Sequence, residues 1–328
     1  MHVGLFIDAK LPPRLYGGTE RWIIWHGRAL VELGHKVTFF AHEGTRLDFA
    51  DVIPASGAGP DLATLPTDLS ILHYVSGWIA EDLPVPACHT IQGNTRNVTR
   101  FHPNSIFVSR NHAKNHNAEA FVYNGMDARS MPEPDLETKG GHLTFLAKAA
   151  WKVKNVKGAI AVARKAGVPI DILGGHRLNF KMGFRITLDP NARFHGMVDD
   201  EQKARFLRSA RGLLFPVRWN EPFGIAIAEA MYFGCPVFGT PYGSLPELIP
   251  PETGFLSSSA SELAEAAKSA GSYDRHAIHA HWRENFTSKK QALKYIAFYE
   301  RILDGETLHP GGITSPPTRT KELLPWCP

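Results

Sequence analysis

The sequence predicts an α/β protein of two domains, and three observations carry that prediction. Near the amino end, Val3 to Ile7 reads as a strand, an amphipathic helix ends at Gly34-His35, and Lys36 to Ala41 reads as a second strand, the order of a βαβ unit. The same order restarts at Leu143, with an apolar strand to Lys148, a helix from Gly158 to Ala166, and a strand from Ile170 to Leu173 beyond Gly167 and Pro169. A chain of 328 residues is long enough for two cores of roughly 130 to 160 residues each.

The expected first domain is residues 1–130 and the second 140–287. Between them, Asp127 to Gly141 loses apolar periodicity around Pro132, Pro134 and Gly140-Gly141. Phe121 to Asn124, followed by Gly125, reads as the strand and turn that close the first domain. Lys289 to Leu303 reads as an amphipathic helix, within a segment placed at about 288–303. Residues 304–328, rich in Pro, Gly and Thr, are expected to be loosely held.

Hydrophobic residues make up 43% and charged residues 21% of the chain, the balance of a soluble enzyme. Its net charge of +4 permits peripheral contact with anionic membrane surfaces but falls short of a nucleic-acid footprint. No run approaches the ~20 apolar residues of a membrane span, and the amino end opens on a strand with no signal-peptide pattern. The expected location is the cytoplasm, with peripheral contact at the inner face of the membrane allowed. Cys88, Cys235 and Cys327 have no paired spacing, so neither a disulfide framework nor a zinc site is expected.

The stretch with most chemistry is Trp219 to Met231. An apolar run, Arg211 to Pro216, precedes it, and Pro222 with Gly224 interrupts the chain before a helical run from Ile225 to Phe233. In a strand-turn-helix unit the first helical amides lack intrahelical partners and bind anions, above all phosphate. Phe223, Gly224 and Ile225 are the expected sources of those amides. At ~1.5 Å per residue, Glu229 lies roughly 8 Å further along the axis, about the span from a diphosphate to a ribose. Its carboxylate suits a vicinal diol, and Glu221, in the turn, suits whatever lies beyond the phosphates. Two acids near a helix start also suit the helix dipole alone.

Beyond Glu229-Ala-Met, the sequence continues through Gly234-Cys235-Pro236, a strand from Val237 to Gly239, and Tyr242-Gly243-Ser244-Leu245-Pro246-Glu247. This run resembles the donor-binding signature of retaining glycosyltransferases of family 4, with two Glu residues separated by seven, and the resemblance covers most of residues 1–303. It implies the GT-B architecture, two Rossmann-like domains facing each other across a cleft, the last helix returning to the first domain. The implied substrate is a nucleoside diphosphate sugar, UDP- or GDP-linked, with no metal and no separate cofactor. Tyr16-Gly17-Gly18-Thr19-Glu20 matches the family loop in which Gly17 and Gly18 approach the donor diphosphate. Lys148 and Lys154 stand where the family has an Arg and a Lys aimed at that diphosphate. Lys in place of Arg keeps the charge but loses the bidentate fork.

The main departure is Gln92, in Cys88-His89-Thr90-Ile91-Gln92-Gly93-Asn94, where relatives commonly carry a His near the reacting centre. Glutamine cannot take a proton at neutral pH. His89, an odd number of positions away, is expected on the opposite face of the strand. The implied activity is transfer of a hexose, with retention, to a glycan, lipid-linked or small-molecule acceptor. The alternative is a nucleotide-sugar-binding protein without catalysis. The absence of a hydrophobic surface helix leans toward a soluble acceptor. Base, sugar, acceptor and oligomeric state stay open. A nucleotide-dependent oxidoreductase is disfavoured, since residues 8–20 lack Gly-x-Gly-x-x-Gly. His112 and His116 at i, i+4 are expected on a solvent-exposed helix face, not as metal ligands, and His195-Gly196 receives no role. Trp78, after the strand Leu69 to Val75, suits either the border of the acceptor cleft or the core.

Overall fold

Runs of β-branched and aromatic residues between Gly and Pro turns give short strands, and the computed structural model arranges them into two parallel sheets. It describes all residues except 14–16, 81, 95–100, 139, 181–183 and 315–322, so Tyr16 of the glycine loop lies outside the described residues. One unit comprises residues 1–127 and 286–318, the other 128–285 and 319–328.

The first unit holds β1 (His2–Phe6), α1 (Gly18–Glu32), β2 (Lys36–Ala41), β3 (Asp51–Pro54), β4 (Ile71–Tyr74), β5 (Ala87–Ile91), β6 (Ser105–Phe107) and α2 (Arg110–Asn115). The strands are parallel in the order β3-β2-β1-β4-β5-β6. Strand order reverses between β1 and β4, the switch point at whose carboxyl ends open α/β sheets bind ligands. Phe121 to Asn124 makes no strand: a single bridge joins Phe121 to Phe107, a correction to the sequence expectation.

The second unit holds β7 (His142–Leu146), α3 (Val156–Ala166), β8 (Ile170–Leu173), the hairpin β9 (Leu178–Asn179) and β10 (Arg185–Ile186), and β11 (Ala192–Phe194). Then come α4 (Asp200–Arg208), β12 (Ala210–Phe215), α5 (Ile225–Tyr232), β13 (Val237–Gly239), α6 (Leu245–Leu248), β14 (Gly254–Leu256), α7 (Ala260–Lys268) and α8 (Arg275–Asn285). The order β11-β8-β7-β12-β13-β14 repeats the first sheet's winding, with the switch point between β7 and β12. Leu143, Phe145, Ile172, Leu213 and Val237 are buried in this sheet, as the continuous apolar runs of a two-sided parallel sheet require.

The last helix, α9 (Ser288–Leu303), starts at the Thr287 cap, whose hydroxyl accepts from Lys290 N, and packs against α1. Tyr295, Tyr299 and Ile302 join the core of the first unit with Leu5, Trp22 and Ile71. The contact includes buried polar groups. The Tyr299 hydroxyl lies 2.9 Å from His26 Nε2 and 2.6 Å from His73 Nδ1. The Thr90 hydroxyl lies 2.7 Å from His73 Nε2 and 2.8 Å from the Tyr295 hydroxyl. Burial pushes the His26 pKa down to about 3 and holds His73 well below its usual range, so both rings are neutral.

The described parts of residues 304–328 make hydrogen bonds to the rest of the chain. His309 is buried, with its amide 3.1 Å from Pro103 O and its ring Nε2 2.9 Å from Ser105 O. The Leu324 amide donates to Arg218 O at 2.9 Å, and Cys327 exchanges backbone bonds with Ser258 and Ala260. Backbone pairing in this segment outweighs its composition.

Candidate active site

The second unit brings the sequence-predicted Lys148, Lys154 and Glu221 into the loops at the β7/β12 switch point. Residues 147–155 follow β7 and residues 216–224 follow β12, so both loops leave the carboxyl edge of the sheet. The turn before α5 ends at Gly224, whose φ of +84° is left-handed and favours glycine. Phe223 turns its side chain into the core. Gly243, also left-handed, packs so close that a Cβ would stand 2.1 Å from Glu221 N. Next to it, Ser244 N donates to Glu221 O at 2.9 Å and Ser244 Oγ to Phe223 O at 2.8 Å. The Tyr242-Gly243-Ser244 segment thereby braces the Glu221 turn.

Glu221 is buried, and its Oε2 accepts from Lys154 Nζ at 2.6 Å and Trp219 Nε1 at 2.7 Å. The Lys154 ammonium also sits 5.0 Å from the Trp219 ring centre and 5.1 Å from that of Phe215. Lys154 is aimed by Asn155, a left-handed residue that caps α3 through Gly158 N and donates from Nδ2 to Pro216 O at 3.0 Å. Lys148 is exposed and stands apart, 5.6 Å over the ring of Trp151, which in turn meets Trp219 edge to face at 6.2 Å. The two lysines thus differ: Lys154 is tied to Glu221, while Lys148 has no carboxylate in ion-pair range among the described residues.

Glu229, on α5, is buried and ion-paired through Oε1 to Lys203 of α4. Lys203 also reaches Asp200 Oδ1 at 2.9 Å. Burial alone would pull the Lys203 pKa down, but the Glu229 and Asp200 carboxylates outweigh it and hold the pKa above its usual value. The second oxygen, Glu229 Oε2, is buried with no hydrogen-bond partner. An unpaired buried carboxylate oxygen is costly unless a ligand hydroxyl reaches it. Lys203 and its role escaped the sequence reading. Its signal was a Lys on the buried stripe Lys203, Ala204, Leu207 of an otherwise polar helix.

In the first unit, Gly17 is buried and extended, and a Cβ there would stand 2.6 Å from the Glu20 carboxylate, which would have to shift, whereas a Cβ at Gly18 would meet nothing within 4 Å. Gln92 lies just past β5, so strand alternation does not relate it to His89, which is half-buried with its pKa pushed down to about 4 by burial. Gln92 Oε1 accepts from Asn124 Nδ2 at 3.2 Å, joining two motifs that the sequence read separately. Gln92 Nε2 and Asn124 Oδ1 are buried without partners. Trp78 is 57% exposed, which excludes its core alternative.

His112 and His116 are both buried, correcting the expected solvent-exposed face. Their rings pack on Phe107 at 5.1 and 4.8 Å, so the helix turns its aromatic side inward. His195 bonds Asp171 Oδ1 at 2.6 Å, beside Arg193 on Oδ2, in a structural ion cluster. Among the described residues no group of three His, Cys, Asp or Glu converges as metal ligands. None of the described helices is long and apolar enough to cross a membrane.

Two six-stranded parallel sheets wound alike, each with one switch point, give the chain the GT-B fold. Residues 141–270 match the family model described as glycosyl transferases group 1. The structure is similar to AviGT4, a glycosyltransferase involved in avilamycin A biosynthesis, at TM-score 0.75 and 21% identity, over 93% of this chain and 98% of that one. It is similar to sucrose-phosphate synthase of Thermosynechococcus elongatus at TM-score 0.66 and 16% identity, over 93% of this chain and 100% of that one. HepE of Anabaena, solved in complex with UDP-glucose, gives TM-score 0.63 and 14% identity over 93% of this chain and 100% of that one. By sequence, the chain is 34% identical over 108 residues to an uncharacterized 41.2 kDa protein in the cps region of Klebsiella pneumoniae, which is 33% of this chain and 27% of that relative. The chain therefore spans about a quarter of that relative's length in the match.

Proposed function

We propose that the protein is a retaining glycosyltransferase that moves a hexose from a nucleoside diphosphate sugar to a glycan, lipid-linked or small-molecule acceptor. The single observation that carries this reading is Glu229, buried and charge-paired on one oxygen and unpartnered on the other, eight residues beyond Glu221. Glu229 Oε2 accepts from the ribose diol. The amides opening α5 hold the diphosphate, and Lys148 and Lys154 neutralise it. The sugar hydroxyls compete with Lys154 for the Glu221 carboxylate, and as they engage it the Lys154 ammonium is released to the diphosphate. In the first unit, Gly17 and Gly18 let backbone amides approach a phosphate.

In the transfer step the bond from the sugar C1 to the phosphate oxygen breaks and the acceptor oxygen bonds C1 from the same face. The acceptor proton passes to the departing phosphate oxygen. That assignment suits Gln92, which orients by hydrogen bonding and moves no proton. The lysines and helix amides do the charge work, so the reading is metal-independent. Incubation with UDP-, GDP- and ADP-sugars, followed by NMR of the anomeric proton of the product, tests it: retained configuration is expected, and inversion would overturn the mechanism.

A second reading, a nucleotide-sugar-binding protein without catalysis, draws on one observation, that Gln92 stands where a titratable residue is expected and contacts Asn124. Slow hydrolysis of the donor in the absence of acceptor separates the two, since a pure binder leaves the donor intact.

A further inference from the structure

The switch point of the first sheet carries polar groups that the donor reading leaves unused. Phe6 pairs with Phe40 on β2 and with Tyr74 on β4, so the residues two positions further on, His42, Asp8 and Ser76, form one row beyond the carboxyl edge. Open α/β sheets bind ligands at this place. Asp8 Oδ1 lies 2.7 Å from His42 Nε2 and accepts from Gly57 N at 2.7 Å, while Asp8 N donates to Ser76 Oγ at 2.7 Å. Trp78 joins the row through the same turn, its amide donating to Ala58 O at 2.9 Å. The loops after β1, β2, β3 and β4 thus meet around one carboxylate.

Both bonds to the Asp8 carboxylate go to Oδ1. Among the described residues neither Asp8 Oδ2 nor His42 Nδ1 has a partner, and both side chains are 41% exposed. The hydrogen bond from His42, then that from Gly57, holds the Asp8 pKa below its usual value, so the group is ionised at neutral pH. An ionised carboxylate only accepts, so the neutral His42 ring carries its proton on Nε2 and leaves Nδ1 as a second acceptor. The pair therefore asks for hydrogen-bond donors, and its negative charge disfavours phosphate or carboxylate. Beside it, Trp78 is the most exposed large apolar side chain of the first unit among the described residues. A solvent-facing indole next to two open acceptors suits a molecule with an apolar face and a rim of hydroxyls, as a sugar ring has.

We propose that Asp8, His42 and Trp78 bind a carbohydrate acceptor, the C–H face of a sugar ring lying on the indole and its hydroxyls donating to Asp8 Oδ2 and His42 Nδ1. The proposal rests on the transferase reading, under which the acceptor must bring a hydroxyl, and it chooses among the acceptor classes. An alkyl alcohol would answer one of the two open acceptors and leave the other, and an acidic acceptor would be repelled by Asp8. A sugar answers both from one face. Asp8 and His42 stand 34 positions apart and belong to no motif, so only the sheet register brings them together.

Saturation-transfer NMR of the full chain with methyl glycosides of glucose, galactose, mannose and N-acetylglucosamine, each alone and with UDP, GDP or ADP, tests the proposal without turnover. At least one glycoside is expected to bind, its ring C–H protons saturated most strongly. Trp78→Ala and Asp8→Asn should each weaken that binding about tenfold or more, with an unchanged melting temperature, and Trp78→Phe should keep most of it. Asp8→Asn retains an oxygen for His42 and Gly57 and turns only the open position into a donor. No glycoside bound by the wild-type chain overturns the proposal, as does binding that survives both variants. Loss in Glu229→Gln but not in Trp78→Ala would move the sugar to the donor site, and binding of tetramethylammonium in place of every glycoside would show that the site reads a cation; either result overturns it. Donor hydrolysis with no glycoside bound overturns this proposal alone, whereas a glycoside held through Trp78 with no donor turnover overturns the transferase reading and leaves a carbohydrate site.

Discussion

Replacing Lys203 by Met isolates the part of the site that no motif reveals. The side chains of Lys203 and Glu229 are 3% and 4% exposed, and Oε1 of Glu229 has Lys203 as its ion-pair partner. Methionine fills the volume and removes the charge, leaving a buried carboxylate uncompensated. Breaking a buried pair in this way costs about 3 to 5 kcal/mol, which lowers the melting temperature by on the order of 10 °C. Glu229→Gln should cost less, because Lys203 keeps Asp200 at 2.9 Å and that carboxylate is one-third exposed, at 33%. The double variant should then be more stable than Lys203→Met alone, a non-additivity of about 1 to 3 kcal/mol. Binding separates the roles. Both single variants should lose affinity for nucleoside diphosphates, Glu229→Gln by removing the charged acceptor, at about 1.5 to 3 kcal/mol, and Lys203→Met by unfixing it. The measurements are urea unfolding and titration calorimetry with UDP, GDP and ADP. A Lys203→Met protein within about 0.5 kcal/mol of wild type and with unchanged nucleotide affinity would refute the reasoning, and unchanged affinity in Glu229→Gln alone would remove the ribose role.

Four further outcomes are expected. Gln92→Ala should slow transfer less than about tenfold, the effect of one neutral hydrogen bond, while Lys148→Ala and Glu221→Ala should each lose about 3 to 4 kcal/mol of transition-state stabilisation; the reverse ordering in steady-state rates would misplace the diphosphate clamp. Activity should survive EDTA, and loss restored only by a divalent cation would overturn the charge assignment to the lysines. Gly224→Ala should destabilise by about 1 to 2 kcal/mol, because φ is +84° and the new Cβ would stand 3.0 Å from Ile227 Cδ1; an unchanged urea midpoint would count against the tight turn. Stability should fall on acidification: His26 and His73 have pKa values held below the ordinary 6.5, so below that pH the unfolded chain binds protons the native one refuses. The loss is about 1.4 kcal/mol per pH unit for each ring, and equal urea midpoints at pH 7.5 and 5.0 would contradict it.

The fold was legible because its signals are local. The strands Lys36–Ala41, Ile170–Leu173 and Val237–Gly239 emerge with the bounds read from the sequence, since each is a short apolar run ended by a turn or a polar residue. The Pro-Phe-Gly turn was legible for the same reason: Gly224 is left-handed and opens the helix that carries Glu229. Phe121–Asn124 misled because its composition suits a strand while only Phe121 finds a partner bridge, and strand status depends on a neighbour that the segment itself does not specify. His112 and His116 misled for a related reason, because spacing fixes which residues share a helix face but not whether that face meets solvent or Phe107.

What stayed hidden in the site is partnership across sequence distance. Lys154 and Lys148 are six positions apart and carry the same charge, yet one is bound to Glu221 and ringed by Trp219 and Phe215 while the other lies over Trp151. A sequence assigns both to one clamp; the structure gives them different surroundings. On the proposed reading, Lys154 is held by a carboxylate that a sugar can claim, so its charge becomes available to phosphate only as Glu221 finds hydroxyl partners. Lys148 offers its charge from the start. If the transferase reading holds, this difference predicts a kinetic split. Lys148→Ala should raise the Kd for a nucleoside diphosphate lacking the sugar. Lys154→Ala should affect that Kd less and the turnover of the full donor more, because freeing the ammonium is coupled to the sugar reaching Glu221. Equal losses of diphosphate affinity in both variants would show that the ion pair opens without the sugar and that Glu221 does not gate it.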